Sequence, residues 1–360
     1  MAGGGTAGHT SPLIATAQRL AEMAPDASIS SIGTPKGLEN KVIPAAGLPL
    51  DLVPPVPLPR RPSVELVKLP LNIVRAVSQA RQILIRRKAD VVVGFGGYVS
   101  LPAYLAAKLL RVPVVVHEQN AVPGLANKVA ARFAKVVAVT FPDTPLRNAR
   151  HVGLPVRRQI SELDRASGRG AARRQWGFEE GRPLLLVSGG SQGARSINTA
   201  TTGARDRLLA AGVNVLHVLG PRNMSEEYTE QVDPDTGARY QPVAYVEAME
   251  DAYSAADLML GRAGAATVME TAIVGLPVVF VPLPHGNGEQ ARNASFLIEG
   301  GAGRLVPDAE LDPERLLAEV VPLITDANAL KAMSDACHGL VSSGAADELA
   351  ALVLQVAEGV

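Results

Sequence analysis

Short apolar runs recur along the chain at residues 91–93, 112–116, 135–139, 184–187, 213–218, 258–260 and 278–281. They are rich in Val, Ile and Leu at successive rather than alternate positions, the pattern of parallel strands buried on both faces. Between them the apolar spacing changes to three and four, which predicts helices over 11–23, 101–110, 124–133, 195–209 and 265–274. Strand and helix alternate throughout, so the expected fold class is α/β, built from doubly wound parallel sheets. The alternation breaks down at the Pro-rich segment 49–62 and over 151–174, where a turn at Gly153 to Pro155 precedes a polar helical region. A domain boundary is expected near Val156, giving an N-terminal domain over 1–156 and a C-terminal domain over 157–342.

Length agrees with that division, because 360 residues exceed the size at which a single core usually stops growing. A site facing a cleft between two domains is the corresponding expectation. Apolar residues at 47% and charged residues at 19% exclude a disordered chain. The uncharged stretches 91–107 and 271–288 approach a membrane span in length but are interrupted by Gly96, Gly97 and Pro102, and by Pro277, Pro282 and Pro284. Each reads as a buried strand, a turn and a helix. No basic start followed by an apolar run and a cleavage site is visible, so a signal peptide is not expected. The lone Cys337 leaves no intrachain disulfide and points to a reducing compartment.

A formal net charge of zero argues against a nucleic-acid partner. The charge is unevenly placed, however. Between residues 60 and 88 stand Arg60, Arg61, Lys68, Arg75, Arg81, Arg86, Arg87 and Lys88 against the single acid Glu65. The same segment carries helically spaced apolar residues, so it is either an ordinary amphipathic helix with a solvated basic face or a surface for anionic lipid. On the second reading each cation contributes about 1 kcal/mol before screening, enough for reversible attachment.

Glycine-bearing turns follow several strands. Gly3-Gly4-Gly5-Thr6-Ala7-Gly8-His9 satisfies the dinucleotide fingerprint by spacing. The next strand, 28–32, ends in Gly33-Thr34 without the acid that would hold a ribose, which counts against NAD. A turn serving helix packing alone leaves His9 unexplained. An imidazole at this position titrates near neutrality, making His9 a candidate general base, or else a ligand for an acceptor diphosphate. After strand 184–187, Ser188-Gly189-Gly190-Ser191-Gln192-Gly193 opens a helix and suits a diphosphate cradled by backbone N–H groups and the helix N-terminus. Gly261-Arg262-Ala263-Gly264-Ala265-Ala266-Thr267 repeats the arrangement, with Glu270 one turn in, where a carboxylate suits both ribose hydroxyls. Two more loops stand at strand C-termini, where ligands of open α/β sheets bind: Gly94-Phe95-Gly96-Gly97-Tyr98 and His117-Glu118-Gln119-Asn120. In the second, His117 and Glu118 either bind a ligand or form an internal network. The six histidines do not pair with acids or cysteine at ligand spacing, and Asp233-Pro234-Asp235 lies in a turn-rich run, so no metal site is expected.

The runs GGGTAGH at 3–9, GFGGYVS at 94–100, HEQN at 117–120, GGSQGAR at 189–195 and GAATVMET at 264–271 occur in the order found in the MurG family, which the chain resembles over nearly its whole length. Members of that family transfer N-acetylglucosamine from UDP-N-acetylglucosamine to lipid I, the undecaprenyl-diphosphate-linked muramoyl-pentapeptide, giving lipid II in peptidoglycan synthesis. The resemblance implies a GT-B fold, with the acceptor on the N-terminal domain and the UDP-sugar on the C-terminal one. It implies donor contacts at Thr6, Ala7, Gly8, Asn120, Arg157, Ser191, Val246, Ala265, Ala266, Thr267, Glu270 and Gln290; beside these, His9 and Glu270 are the catalytic candidates, and Gly97, Tyr98, His117 and Glu118 are candidate acceptor contacts. It further implies no metal or other cofactor, peripheral attachment to the cytoplasmic face of the cell membrane, and a C-terminal helix over about 343–360 that returns to the first domain. Three positions depart from the family pattern. The chain opens at Met1-Ala2-Gly3 where the family has a full strand, Leu154 stands where Asn is frequent, and 60–88 lacks the aromatic residues expected at a membrane interface. The alternatives are a transferase to another lipid acceptor, a UDP-N-acetylglucosamine 2-epimerase, and a non-enzymatic nucleotide-sugar binder.

Overall fold

The computed structural model describes residues 1–56 and 64–359, with the backbone alone over 64–68. Arg60 and Arg61 of the basic segment lie outside the described residues. The chain divides into two compact units, Met1–Arg157 with Ser343–Val360, and Arg158–Ser342.

The first unit runs α1 (Ala7–Met23), β1 (Ser31–Gly33), α2 (Glu39–Ala45), β2 (Leu50–Leu52), α3 (Val64–Arg87), β3 (Val92–Gly94), α4 (Ser100–Leu110), β4 (Val114–Glu118), α5 (Leu125–Ala130), β5 (Val136–Val139) and β6 (Ala149–His151). β3 to β6 pair in that order, all parallel, and β1 pairs with β2 in the same sense. Met1 and Ala2 join the two groups of strands. Ala2, fully buried, bridges Ile32 on one side and Gly94 on the other, and its N–H donates to the Val93 carbonyl at 2.8 Å. The first strand position therefore lies between β1 and β3, with later strands added on both sides. That is a topological switch point, and the turns opening from it are 3–8 and 94–98. β4 ends later than the apolar run suggests: His117 pairs with Ala138 and Glu118 with Val139, so both belong to the strand rather than to the loop beyond it. α1 begins at Ala7, ahead of the expected start, and tolerates Pro12 at the loss of one backbone rung.

The second unit runs α6 (Arg158–Ser161), α7 (Arg165–Gln175), β7 (Leu184–Ser188), α8 (Arg195–Ala210), β8 (Asn214–Val218), β9 (Gln231–Val232), β10 (Arg239–Val243), α9 (Met249–Ala255), β11 (Leu258–Gly261), α10 (Ala265–Ile273), β12 (Val278–Phe280), α11 (Glu289–Glu299), β13 (Gly303–Leu305), α12 (Pro313–Ile324) and α13 (Ala327–Leu340). Its sheet has the order β13-β12-β11-β7-β8-β10-β9, parallel except for β9. The switch point is the pair β7–β11, registered Leu258 to Leu185 through Gly261 to Ser188, from which the turns after Ser188 and Gly261 emerge together. Leu185, Val187, Val215 and Leu260 of the sheet pack on Ile197, Leu208, Leu316 and Val320 of the helices in one continuous core. Asp233 accepts from the Thr236 and Asp235 amides at 2.8 and 3.1 Å, so the Asp-Pro-Asp run is a turn joining β9 to β10.

The last helix, α14 (Ala345–Ala357), belongs to the first unit. Its Leu349, Ala350 and Val353 are buried with Leu13, Leu20, Val93 and Val115. Two ion pairs join its outer side to that unit, Arg19–Asp347 and Arg150–Glu348. Such exposed pairs contribute at most about 1 kcal/mol each, so the apolar face anchors the helix.

Candidate active site

In the second unit both switch-point turns end in helices whose first N–H groups lack a side-chain cap. Ala194 precedes α8 and Gly264 precedes α10, neither offers a capping oxygen, and neither helix has an acid in its first turn. Uncapped N–H groups and an uncompensated helix dipole favour an anion. The glycines of the first turn have separate reasons. A Cβ on Gly189 would overlap Ala194, and one on Gly193, at φ +72, would overlap the Leu219 carbonyl. Gly193 N–H donates to the Gly190 carbonyl at 2.9 Å, and Asn223 Nδ2 donates to the Gln192 carbonyl at 2.9 Å. This tight winding leaves Ser191 and Gln192 exposed at the tip. Arg262, to which sequence reading gave no role, fixes the second turn. It donates to the Val281 carbonyl at 3.0 Å and to Asp308 and Ser196, joining the loops after β11 and β12 to α8.

Ala265, Ala266 and Thr267 form the first turn of α10, and Glu270 follows on the same helix, half-buried. The buried Tyr253 donates its hydroxyl to Glu270 Oε2 at 2.9 Å. One carboxylate oxygen is thus aimed by a phenol from α9, a partner 17 residues away that no motif announces. Val246 is buried in the loop between β10 and α9, and Gln290, in the first turn of α11, accepts from the Leu283 amide at 3.0 Å. Arg157 stands half-buried at the end of the first unit.

In the first unit, Thr6 is exposed, while Ala7 and Gly8 begin α1. His9 lies in the first helical turn, half-buried, with Nδ1 3.0 Å from Thr6 Oγ1. Burial lowers its pKa, while a bond to the Gly4 backbone and the nearby Glu39 charge act the other way. The turn after β3 crosses it: a Cβ on Gly96 would lie 3.4 Å from His9 Nε2, and one on Gly97 would meet the Gly4 carbonyl. Tyr98 beside them is 49% exposed.

The 117–120 segment behaves differently. His117, Glu118 and Gln119 are all buried, and Asn120 is half-buried. His117 Nε2 donates to the Gly153 carbonyl at 2.8 Å, and Nδ1 accepts from Gln119 at 3.0 Å. Glu118 accepts from the Asn120 and Gly124 amides, both at 3.0 Å, and from Asn127 Nδ2 at 2.9 Å. Burial nevertheless holds its pKa above the usual carboxylate range. Asn127 also accepts from the buried Tyr104 hydroxyl at 2.7 Å. This network fixes the loop ends around Asn120 and Gly124.

His117, pushed down to about 4, and His217 of the second unit, pushed down to about 3, are both held neutral by burial. Unfolding restores their ordinary affinity for a proton. Each therefore contributes stability that is present above pH 6.5 and is lost as pH falls toward the folded value, at up to about 1.4 kcal/mol per pH unit. The urea midpoint at pH 4.5 should lie below that at pH 7, and an unchanged midpoint would contradict this assignment.

Similarity to known proteins agrees with the geometry. The glycosyltransferase family 28 N-terminal domain matches residues 1–139, and the family's C-terminal domain matches residues 184–349. A UDP-N-acetylglucosamine–N-acetylmuramyl-(pentapeptide) pyrophosphoryl-undecaprenol N-acetylglucosamine transferase of Cutibacterium acnes is 58% identical, over 100% of this chain and 97% of that protein. A protein of the same name from Nocardioides sp. is 54% identical, over 100% of this chain and 98% of its own length. Among solved structures, Acinetobacter baumannii MurG superposes with a TM-score of 0.77 at 30% identity, covering 99% of this chain and 98% of that one. The fold is GT-B. With two family domains in order and full-length relatives above half identity, the chain belongs to the MurG family within glycosyltransferase family 28.

Proposed function

We propose that this chain transfers N-acetylglucosamine from UDP-N-acetylglucosamine to the muramoyl 4-hydroxyl of lipid I, giving lipid II and UDP. The observation that carries this reading is the 58% identity, over the full chain, to a transferase of that name. In this reading the second unit takes the donor. The diphosphate lies against the N–H groups at Ser191 and Gln192 and at Ala265 to Thr267, the ribose on Glu270, and the base and sugar toward Val246 and Gln290. The family resemblance carries further donor contacts to Thr6, Ala7, Gly8, Asn120 and Arg157. Gly97 and Tyr98 face the acceptor, and His117 and Glu118 serve it by holding the loop ends between which Asn120 sits.

The reaction is a single inverting displacement. The 4-hydroxyl oxygen bonds to the anomeric carbon as the bond from that carbon to the UDP oxygen breaks, and the hydroxyl proton passes to His9. Negative charge grows on the leaving diphosphate, where preorganised N–H groups and two helix N-termini stabilise it. The membrane-contacting surface is α3 with the residue that follows it, which together expose Leu71, Val74 and Ile85 beside Arg75, Arg81 and Lys88. Arg86 and Arg87 both bind Asp51 there, so the effective positive charge is smaller than a count of cations suggests. Peripheral attachment on the cytoplasmic face would give the enzyme access to both a soluble donor and a lipid-linked acceptor.

One assay tests both parts. Purified protein, labelled UDP-N-acetylglucosamine and a lipid I analogue are combined in anionic or in zwitterionic vesicles and scored for lipid-linked label. Product is expected in both, faster on the anionic surface. UDP release without lipid-linked product would overturn the transferase reading, and equal rates would remove the role given to α3.

A further inference from the structure

Glu39 has no part in the roles assigned so far, yet it lies directly behind the first glycine turn. It opens α2 five residues after Thr34, is 1% exposed, and its carboxylate accepts from the chain's own donors on both oxygens. Oε2 accepts from the Gly5 N–H at 2.9 Å, and Oε1 accepts from the Thr34 N–H at 3.0 Å and the Thr34 hydroxyl at 2.8 Å. Three glycines make room for this side chain. A Cβ on Gly4 would lie 2.6 Å from its carboxyl carbon, one on Gly33 would lie 2.7 Å from its Cγ, and one on Gly37 would overlap the carboxylate outright. Gly5 sits at φ +88, a conformation that an L side chain resists and that the bond to Glu39 fixes. The acid missing from the end of β1 is thus present a few residues later. It is turned under the loop, where its burial closes it to a ribose.

We propose that Glu39 is the positioning residue of the His9 turn: its buried carboxylate sets the path of Gly4 to Thr6 and supplies the negative charge behind the imidazole. Few other ionisable groups face His9. The first two turns of α1, Ala7 to Ile14, carry none besides His9 itself. The loop after β3 offers only Tyr98, and β4 offers His117 and Glu118, which are committed to Gly153 and Gln119 and to Asn120, Gly124 and Asn127. Glu39 therefore opposes the two influences that disfavour a charged imidazole, burial and the positive end of α1. Its own pKa is set by burial, which raises it, against the bonds from Gly5 and Thr34, which bring it below the ordinary carboxylate value. It is therefore ionised at neutral pH.

The proposal rests on the reading of His9 as the base, and the two fail in different experiments. Glu39→Gln keeps the volume that the three glycines enclose and removes the charge. Turnover should fall at least about tenfold, the acid limb of the pH profile for the lipid acceptor should move to lower pH, and the His9 resonance in labelled-histidine NMR should titrate at lower pH. Glu39→Asp keeps the charge but shortens the reach to Gly5, so turnover should fall while the acid limb stays near that of the wild type. A His9 resonance that titrates alike in wild type and Glu39→Gln overturns the proposal, as does an acid limb that moves equally in Glu39→Asp and Glu39→Gln. If neither variant folds, the wild type still decides: the Gly5 amide resonance should shift as the Glu39 carboxylate titrates, and a Gly5 amide silent through the acid range overturns it. Wild-type turnover in His9→Ala would instead remove the base reading itself.

Discussion

Replacing His9 by alanine is expected to lower turnover about 10² to 10⁴-fold with UDP affinity in calorimetry nearly intact. The position suits a base in three respects. Nδ1 is engaged by Thr6 Oγ1 at 3.0 Å, which fixes the ring. Burial lowers the imidazole pKa, so the neutral, proton-accepting form prevails at physiological pH. The backbone around it is held by Gly96, Gly97 and Glu39, so little motion is required to present the ring. Loss of a base should appear in kcat and kcat/KM together, because the proton moves only in the transition state. The competing role, binding the acceptor diphosphate, predicts a raised KM for the lipid acceptor with kcat preserved. Unchanged turnover would exclude the base, and a pure KM effect would reassign His9 to acceptor binding.

The parts of this molecule legible in its sequence are those with local causes. β3, β4, β5, β7, β8, β11 and β12 announce themselves because a strand buried on both faces must be apolar at every position. The short strands β2, β6, β9 and β13 do not, since Leu-Asp-Leu, Ala-Arg-His, Gln-Val and Gly-Arg-Leu carry no such signal and are strands only through their neighbours' hydrogen bonds. The start of α1 is displaced in a sequence reading because Gly8 argues against helix and Pro12 suits a first turn, and tertiary packing of Leu13, Ala17 and Leu20 overrides both. The end of β4 is displaced because His117 and Glu118 look like loop residues until Gly153, Gly124 and Asn127 are seen to receive them. The glycine turns are legible because each close approach demands a missing side chain. Their partners are not. Tyr253 for Glu270, Asp308 for Arg262 and Gly5 for Glu39 are separated by 17, 46 and 34 residues, distances over which no periodicity links a donor to its acceptor. The fold-family assignment and the returning helix α14 came instead from resemblance to a family whose motifs recur here in order.

Glu270→Ala is expected to weaken UDP-N-acetylglucosamine binding about a hundredfold. A carboxylate accepting both ribose hydroxyls makes two charge-assisted bonds of roughly 1.5 to 3 kcal/mol each, and water replaces part of them in the variant, leaving a loss of about 3 kcal/mol. The ribose carries the same charge in the ground state and the transition state. The effect should therefore fall on KM for the donor, with kcat reduced far less. Tyr253 separates the contact from its alignment. Tyr253→Phe leaves the carboxylate in place but releases the oxygen now held at 2.9 Å, so donor affinity should drop by about tenfold or less. In the double variant the loss should match that of Glu270→Ala alone, because a carboxylate that is absent gains nothing from being aimed. Wild-type donor affinity in Glu270→Ala would refute the ribose role, and additive losses in the double variant would give Tyr253 a contact with the donor of its own.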